Sequence, residues 1–194
     1  NEAWGAPLMG TIPRGEQATI VCALPLYHIF AFTYCMMQSM RLGGKLILIA
    51  NPRDLPTMFQ ELSKHRIHLM PAVNTLFNGM VNHPEFNTVD WSHLVGATGG
   101  GSAVQGAVAK LWLEKTGRPI LEGYGLSETS PVASGNPADA TDYNGSIGVP
   151  LPNTWMKLLD DDGKPVAQGQ AGEIAIKGPQ VMAGYWQRPD ETAK

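Results

Sequence analysis

The 194-residue chain is poor in charge, in aromatic residues and above all in cysteine, and each shortage removes a class of explanation. Only two cysteines are present, Cys22 and Cys35, both in apolar surroundings. Neither belongs to a Cys-x-x-Cys ligand pair, so no disulfide framework or cysteine metal site is expected. They read as small buried hydrophobes in a reducing compartment. The 14 basic and 17 acidic residues are interspersed and leave a formal net charge of -3. Without a basic stripe, nucleic acid is not an expected partner. Long hydrophobic runs are missing as well: the greasiest stretch, Ile29 to Met40, is broken by Thr33, Gln38 and Ser39 and falls short of a membrane span. The amino end, Asn1 to Pro7, has no basic segment leading into an apolar one, the pattern of a signal peptide. A cytoplasmic protein is expected, with peripheral attachment to the inner face of a membrane left open. His65, His68, His83 and His93 have no mutual metal-ligand spacing and read as surface or packing residues.

What is present is a regular alternation of short apolar runs with helical spacing, the pattern of βαβ units on a parallel sheet. Strands are expected at Ala18 to Leu24, Lys45 to Ala50, His68 to Val73, Leu94 to Thr98 and around Ile120-Leu121. Between them, Ile29 to Arg41 has helical length. Leu55, Met58, Phe59 and Leu62 fall on one helical face, as do Val73, Leu76, Phe77, Met80 and Val81 with a cap at Asn74, and Val104, Val108, Leu111 and Trp112. Past Pro131 the helical period disappears. Trp155 to Leu159 and Glu173 to Lys177 read as strands beyond a turn-rich connection. The expected fold class is therefore α/β, a mainly parallel sheet with flanking helices followed by a smaller β-rich portion. Residues 1–131 form the first part and 132–194 the second. The run Arg188 to Lys194 opens a helix with proline at its start and then stops, so the chain reads as cut rather than finished.

The densest chemistry lies in Leu121-Glu122-Gly123-Tyr124-Gly125-Leu126-Ser127-Glu128-Thr129-Ser130, placed at the carboxyl end of a strand, where open α/β sheets bind ligands. Gly123 and Gly125 allow positive φ and close backbone approach. Tyr124 offers a flat face for a base, Ser127 a hydroxyl for a phosphate oxygen, and Glu128 a hard oxygen for Mg²⁺. A second glycine run, Gly99-Gly100-Gly101-Ser102, also follows a strand. It either presents backbone N–H groups to an anion or base or is a tight βα turn. If the two strands are neighbours, both glycine lips face one crevice. His28 stands where the first strand gives way to the apolar helix; a packed core histidine and an acid–base group are both open readings. Glu173 reads as a solvent-facing strand carboxylate.

Taken together, Pro25 to Ala31, Gly99 to Ser102, Leu121 to Ser134, Gly145 to Pro152 and Gly172 to Pro189 occur in the order of the adenylate-forming superfamily. That superfamily comprises acyl-CoA synthetases, luciferases and peptide-synthetase adenylation domains. Pro25-Leu26-Tyr27-His28-Ile29-Phe30, Asn51-Pro52-Arg53-Asp54 and Gly178 to Trp186 most resemble bacterial long-chain fatty-acid–CoA ligases. The resemblance implies ATP, Mg²⁺ and CoA as cosubstrates or cofactors and a fatty acid as acyl donor. It further implies that Gly99, Gly100, Gly101, Gly123 and Gly125 wall the adenine, with Tyr124 stacked on it. Ser127 would contact phosphate, Glu128 would hold Mg²⁺, and His28 would stand at the acyl-pocket entrance. The family's upstream Ser/Thr/Gly-rich loop ending in lysine, its downstream ribose-binding Asp and its carboxyl-terminal domain have no counterpart in these residues. The segment alone is therefore expected to be inactive. Ser127 stands where threonine is commoner. Another acyl- or aryl-adenylating enzyme and a non-catalytic nucleotide-binding module are the alternatives.

Overall fold

The computed structural model describes residues 10–12 and 15–193. The amino-terminal run Asn1 to Pro7 and the final Lys194, both used in reading the sequence, lie outside the described residues. Five parallel strands, β1 (Thr19–Cys22), β2 (Lys45–Leu48), β3 (Leu69–Ala72), β4 (Gly96–Gly99) and β5 (Ile120–Tyr124), lie in the order β2-β1-β3-β4-β5. Two short antiparallel strands, β6 (Ser134–Gly135) and β7 (Val149–Pro150), extend the sheet beyond β5. A separate antiparallel pair, β8 (Trp155–Leu159) and β9 (Glu173–Lys177), completes the α/β architecture that the pattern implies. The division expected after Pro131 falls inside the seven-stranded sheet, because β6 and β7 continue it; the distinct β-rich element begins at Trp155.

Alternation along β1 shows how the sheet is covered. Val21 joins one core while Ile20 and Cys22 join the other, as the two-residue period of a strand requires. On the first face lie α2 (Leu55–Leu62), α3 (Asn74–Val81) and α4 (Gly106–Thr116), whose Phe59, Phe77 and Trp112 are fully buried. Phe77 and Trp112 meet edge to face with centroids 4.8 Å apart, a favoured aromatic geometry. Over the opposite face, Ile20, Leu69 and Leu121 meet Phe30, Ala31, Tyr34 and Cys35. Both cysteines are buried, as their apolar neighbours suggest.

Two local expectations need correction. The helix expected over Ile29 to Arg41 forms, but its Ala31–Met37 segment is a π-helix that runs into α1 (Gln38–Leu42). Apolar spacing over two turns does not separate this wider period from 3.6, which is why an α-helix was expected. Asn74 does not cap α3: Val73 occupies that position. Asn74 Oδ1 instead accepts the N–H of Gln105 at 2.9 Å, tying the start of α3 to the start of α4. The carboxyl-terminal proline opens the short helix α5 (Pro189–Thr192), as expected.

Candidate active site

Because β4 and β5 are hydrogen-bonded neighbours, with Thr98 opposite Leu121 and Gly99 opposite Glu122, their carboxyl ends open side by side. The two glycine lips face one cleft of about 320 Å³. Its lining brings together His28, Gly99, Gly100, Gly101, Gly123, Gly125, Ser127 and Glu128, with Phe30, Thr98, Pro131 and Val132 beside them. Of the residues to which the resemblance gives a role at the site, Tyr124 alone lies outside the lining. It is half-buried, its backbone pairs with Ser134, and its carbonyl accepts the N–H of Ala133 at 2.9 Å.

The glycines serve close packing more than unusual torsion. A Cβ on Gly99 would lie 2.5 Å from Val104 Cγ2, and one on Gly100 would lie 3.0 Å from Phe30 Cε1. Only Gly101 in this lip has positive φ, +77°. At the second lip the expected positive φ is not used: Gly123 is strand, and Gly125 is required because a Cβ there would fall 1.6 Å from the Pro131 carbonyl oxygen. No side chain fits in that space.

Behind the lips sits a buried polar frame. The N–H of Val104 donates to Glu122 Oε1 at 2.8 Å, and the N–H of Glu122 donates to Asn136 Oδ1 at 2.7 Å. Asn136 in turn donates through Nδ2 to the Ser146 carbonyl at 2.7 Å. The Tyr143 hydroxyl donates to the Val104 carbonyl at 2.5 Å, and desolvation followed by the Glu122 charge raises its pKa. On the helical side, Tyr34 and Thr98 share a hydrogen bond of 3.0 Å. Burial pushes the Tyr34 hydroxyl up to about 12, so it stays protonated.

His28 is exposed at the cleft, which removes the core-packing reading. Its Nδ1 accepts the N–H of Phe30 at 3.2 Å, so the neutral ring carries its proton on Nε2 and offers a donor there. Ser127 begins a 3₁₀ turn, Ser127–Thr129. Buried Thr129 braces that turn, accepting from the N–H of Leu126 and donating to the Pro131 carbonyl, both at 2.9 Å. Glu128 is held from elsewhere: its carbonyl accepts the N–H of Met182 at 2.9 Å, and its Oε1 accepts the Tyr185 hydroxyl at 2.7 Å. The Tyr185 hydrogen bond lowers the Glu128 pKa below the usual carboxylate value. An anionic oxygen therefore stands at the cleft rim.

A family model described as AMP-binding enzyme matches residues 3–186. The chain belongs to the AMP-binding enzyme family. It is 53% identical over 183 residues to the long-chain-fatty-acid–CoA ligase of Salmonella typhimurium, covering 94% of this chain and 33% of that protein. The Bacillus subtilis protein of the same name is 37% identical over 189 residues, covering 97% and 33%. The feruloyl-CoA synthase of an Amycolatopsis species is 33% identical over 188 residues, covering 96% and 38%. Among solved structures, a benzoate CoA ligase from Burkholderia xenovorans superposes with a TM-score of 0.83 at 25% identity, over 99% of this chain and 40% of that one. The chain spans about a third of the length of the curated relatives it matches. Glu122, Asn136, Tyr143 and Tyr185 are the supporting residues that sequence reasoning missed. The partners of these side chains lie 10 to 57 positions away, as in Asn136 with Ser146 and Glu128 with Tyr185, and no local pattern marks such pairs.

Proposed function

We propose that this chain belongs to a long-chain fatty-acid–CoA ligase and contributes its nucleotide-activating cleft. The observation that carries this reading is the convergence of both glycine lips, Ser127, Glu128 and His28 on one cleft, in a chain 53% identical to a ligase of that name. In the first step a fatty carboxylate oxygen attacks the α-phosphorus of ATP. The bond to the β-phosphate oxygen breaks, and pyrophosphate leaves. In the second, the CoA sulfur attacks the acyl carbonyl, AMP departs and the thiol proton passes to solvent. The bare backbone of Gly99 to Gly101 and of Gly123 to Gly125 leaves room for a flat adenine, while Tyr124, the stacking partner that the resemblance implies, does not line this cleft. Ser127, exposed on the turn, is placed to donate its hydroxyl to a phosphate oxygen. His28 Nε2–H is available to the carboxylate or its acyl-phosphate at the pocket mouth. Donors fixed before reaction lower the barrier without reorganising as charge gathers on phosphoryl oxygens.

Glu128 fits a Mg²⁺ role: it is anionic, oxygen-bearing and at the cleft rim. No cluster of three or more His, Cys, Asp or Glu able to hold a metal occurs among the described residues, and Mg²⁺ is ordinarily held by one or two carboxylates plus substrate phosphates. Such an ion would neutralise phosphoryl charge. No helix among the described residues is long and apolar enough to cross a membrane; for the full-length protein we place the reaction in the cytoplasm or at the inner membrane face.

The test is an assay of the full-length protein with ATP, CoA and palmitate, expected to yield palmitoyl-CoA and AMP. Absence of product with every fatty acid would overturn the assignment. The 33% identity to a feruloyl-CoA synthase favours one second reading, an aryl-adenylating enzyme. Pyrophosphate exchange without CoA, driven by aromatic acids but not by fatty acids, would select it.

A further inference from the structure

The segment between β9 and α5, residues 178–188, comes from a different part of the fold than the motif turn, yet two hydrogen bonds fasten it to Glu128 in that turn and a third to Val132 just beyond it. Gln180 Nε2 donates to the Val132 carbonyl at 3.3 Å, the N–H of Met182 donates to the Glu128 carbonyl at 2.9 Å, and the Tyr185 hydroxyl donates to Glu128 Oε1 at 2.7 Å. The first two hold backbone. Only the third holds the carboxylate itself. Tyr185 is fixed from behind in turn: its N–H donates to Thr192 Oγ1 at 2.9 Å, and that hydroxyl donates to the Arg188 carbonyl at 2.9 Å. Gly184 makes this approach possible, since a Cβ there would lie 2.6 Å from Thr192 Cγ2.

We infer that Tyr185 is a positioning residue for Glu128, its hydroxyl fixing the carboxylate at the cleft rim as a ready ligand for a divalent cation carried by the nucleotide. This rests on the reading of Glu128 as a metal ligand given above. A glutamate on an exposed turn has three side-chain torsions to immobilise before it can hold a metal. The hydroxyl occupies Oε1 and removes that freedom in advance, while supplying no charge that would compete with the cation. Because the Met182 and Gln180 bonds do not involve the phenol, removing the hydroxyl leaves the segment docked. Loss of positioning is then separable from loss of fold.

The test uses the full-length protein and Tyr185→Phe, which deletes only the hydroxyl. Two readouts are taken: ATP–pyrophosphate exchange with palmitate over a Mg²⁺ titration, and Mn²⁺ binding in the presence of ATP without fatty acid, followed by electron paramagnetic resonance. The variant is expected to need about three- to tenfold more cation for half-saturation in both, the scale of one hydrogen bond. The maximum exchange rate and the thermal midpoint should stay near wild type. In a Glu128→Gln background, Tyr185→Phe should add nothing, since contacting residues that act through one group are not additive. Unchanged cation dependence overturns the inference. So does an equal loss in both backgrounds, or a lowered midpoint with normal cation affinity. If no carboxylate supports exchange in the wild type, the functional reading fails by itself, and the Mn²⁺–ATP measurement still decides the role of Tyr185.

Discussion

Glu122 and Val104 are joined by a buried hydrogen bond in which the backbone N–H of Val104 donates to Glu122 Oε1 at 2.8 Å. Val104 follows the first glycine lip and Glu122 precedes the second, so one carboxylate sets the spacing between the two walls of the cleft without lining it. Glu122→Met keeps the length of the side chain and removes the acceptor. With Val104 only 2% exposed, its N–H is then left without a partner, at a cost of about 1–3 kcal/mol. Glu122→Gln retains an acceptor and should lose clearly less. Urea unfolding of the full-length protein measures both, and equal losses would show that the hydrogen bond is not what Glu122 provides.

The two lips should respond differently to a methyl group. Gly101→Ala meets only ordinary contact with Val73 Cγ1 at 3.6 Å, but its φ of +77° is costly for an L-residue. A loss of about 1–2 kcal/mol is expected, with nucleotide binding retained. Gly125→Ala puts a Cβ 1.6 Å from a backbone oxygen of Pro131 that cannot swing aside. The turn must move, at a cost on the order of 3 kcal/mol or more, and ATP binding should be lost. Calorimetric ATP titration of both variants checks this; the reverse ranking would sink it.

What could be read from residue order was whatever is local. Parallel strands with helical spacing between them announce the sheet, and glycine runs at strand ends announce the lips; that β4 and β5 are neighbours follows from their succession in the chain. The π-helical turn at Ala31–Met37 was not legible, because the same apolar residues suit either helical period. Nor was the role of Asn74, whose partner Gln105 lies 31 positions on. Tyr124 had the composition of a stacking residue, but β6 pairing at Ser134 and the Ala133 bond orient its backbone, and the ring does not line the cleft. Tyr185 illustrates the remaining limit. It sits in a run that resembles the family, yet its bond to Glu128 exists only once residues 178–188 fold back across the turn.

A pH effect follows from His68, which lies far from the cleft's chemistry. The N–H of Thr19 donates to its Nδ1 at 3.0 Å, so that nitrogen must stay unprotonated. Burial lowers the His68 pKa below the usual 6.5, opposed by Glu16 at 3.4 Å and aided by nearby His93 and Arg66. The unfolded chain therefore binds a proton at higher pH than the folded one. Stability contributed by neutral His68 is complete above the unfolded value and is lost as pH falls through it toward the lower folded value. The thermal midpoint should fall between about pH 7.5 and about pH 5.5, a window above the carboxylate range, and His68→Gln should flatten that slope. Parallel slopes for wild type and variant would rule out His68 as the source.

Glu128→Gln separates chemistry from architecture at the cleft rim. The substitution keeps the size of the side chain and an oxygen able to accept the Tyr185 hydroxyl, but removes the negative charge. The Met182 bond to the Glu128 carbonyl is untouched because it involves only backbone. Folding should therefore change little. If the carboxylate holds Mg²⁺ on the nucleotide, pyrophosphate exchange should fall by about 10² to 10³, the usual cost of deleting one preorganised electrostatic contributor, and excess Mg²⁺ should recover part of it. A structural carboxylate predicts the opposite pairing: a lowered thermal midpoint and exchange that falls only as far as the folded fraction does. Exchange over a Mg²⁺ titration and unfolding without nucleotide, measured on the same preparation of full-length protein, distinguish the two. Near-normal exchange with wild-type Mg²⁺ dependence would remove Glu128 from the metal site.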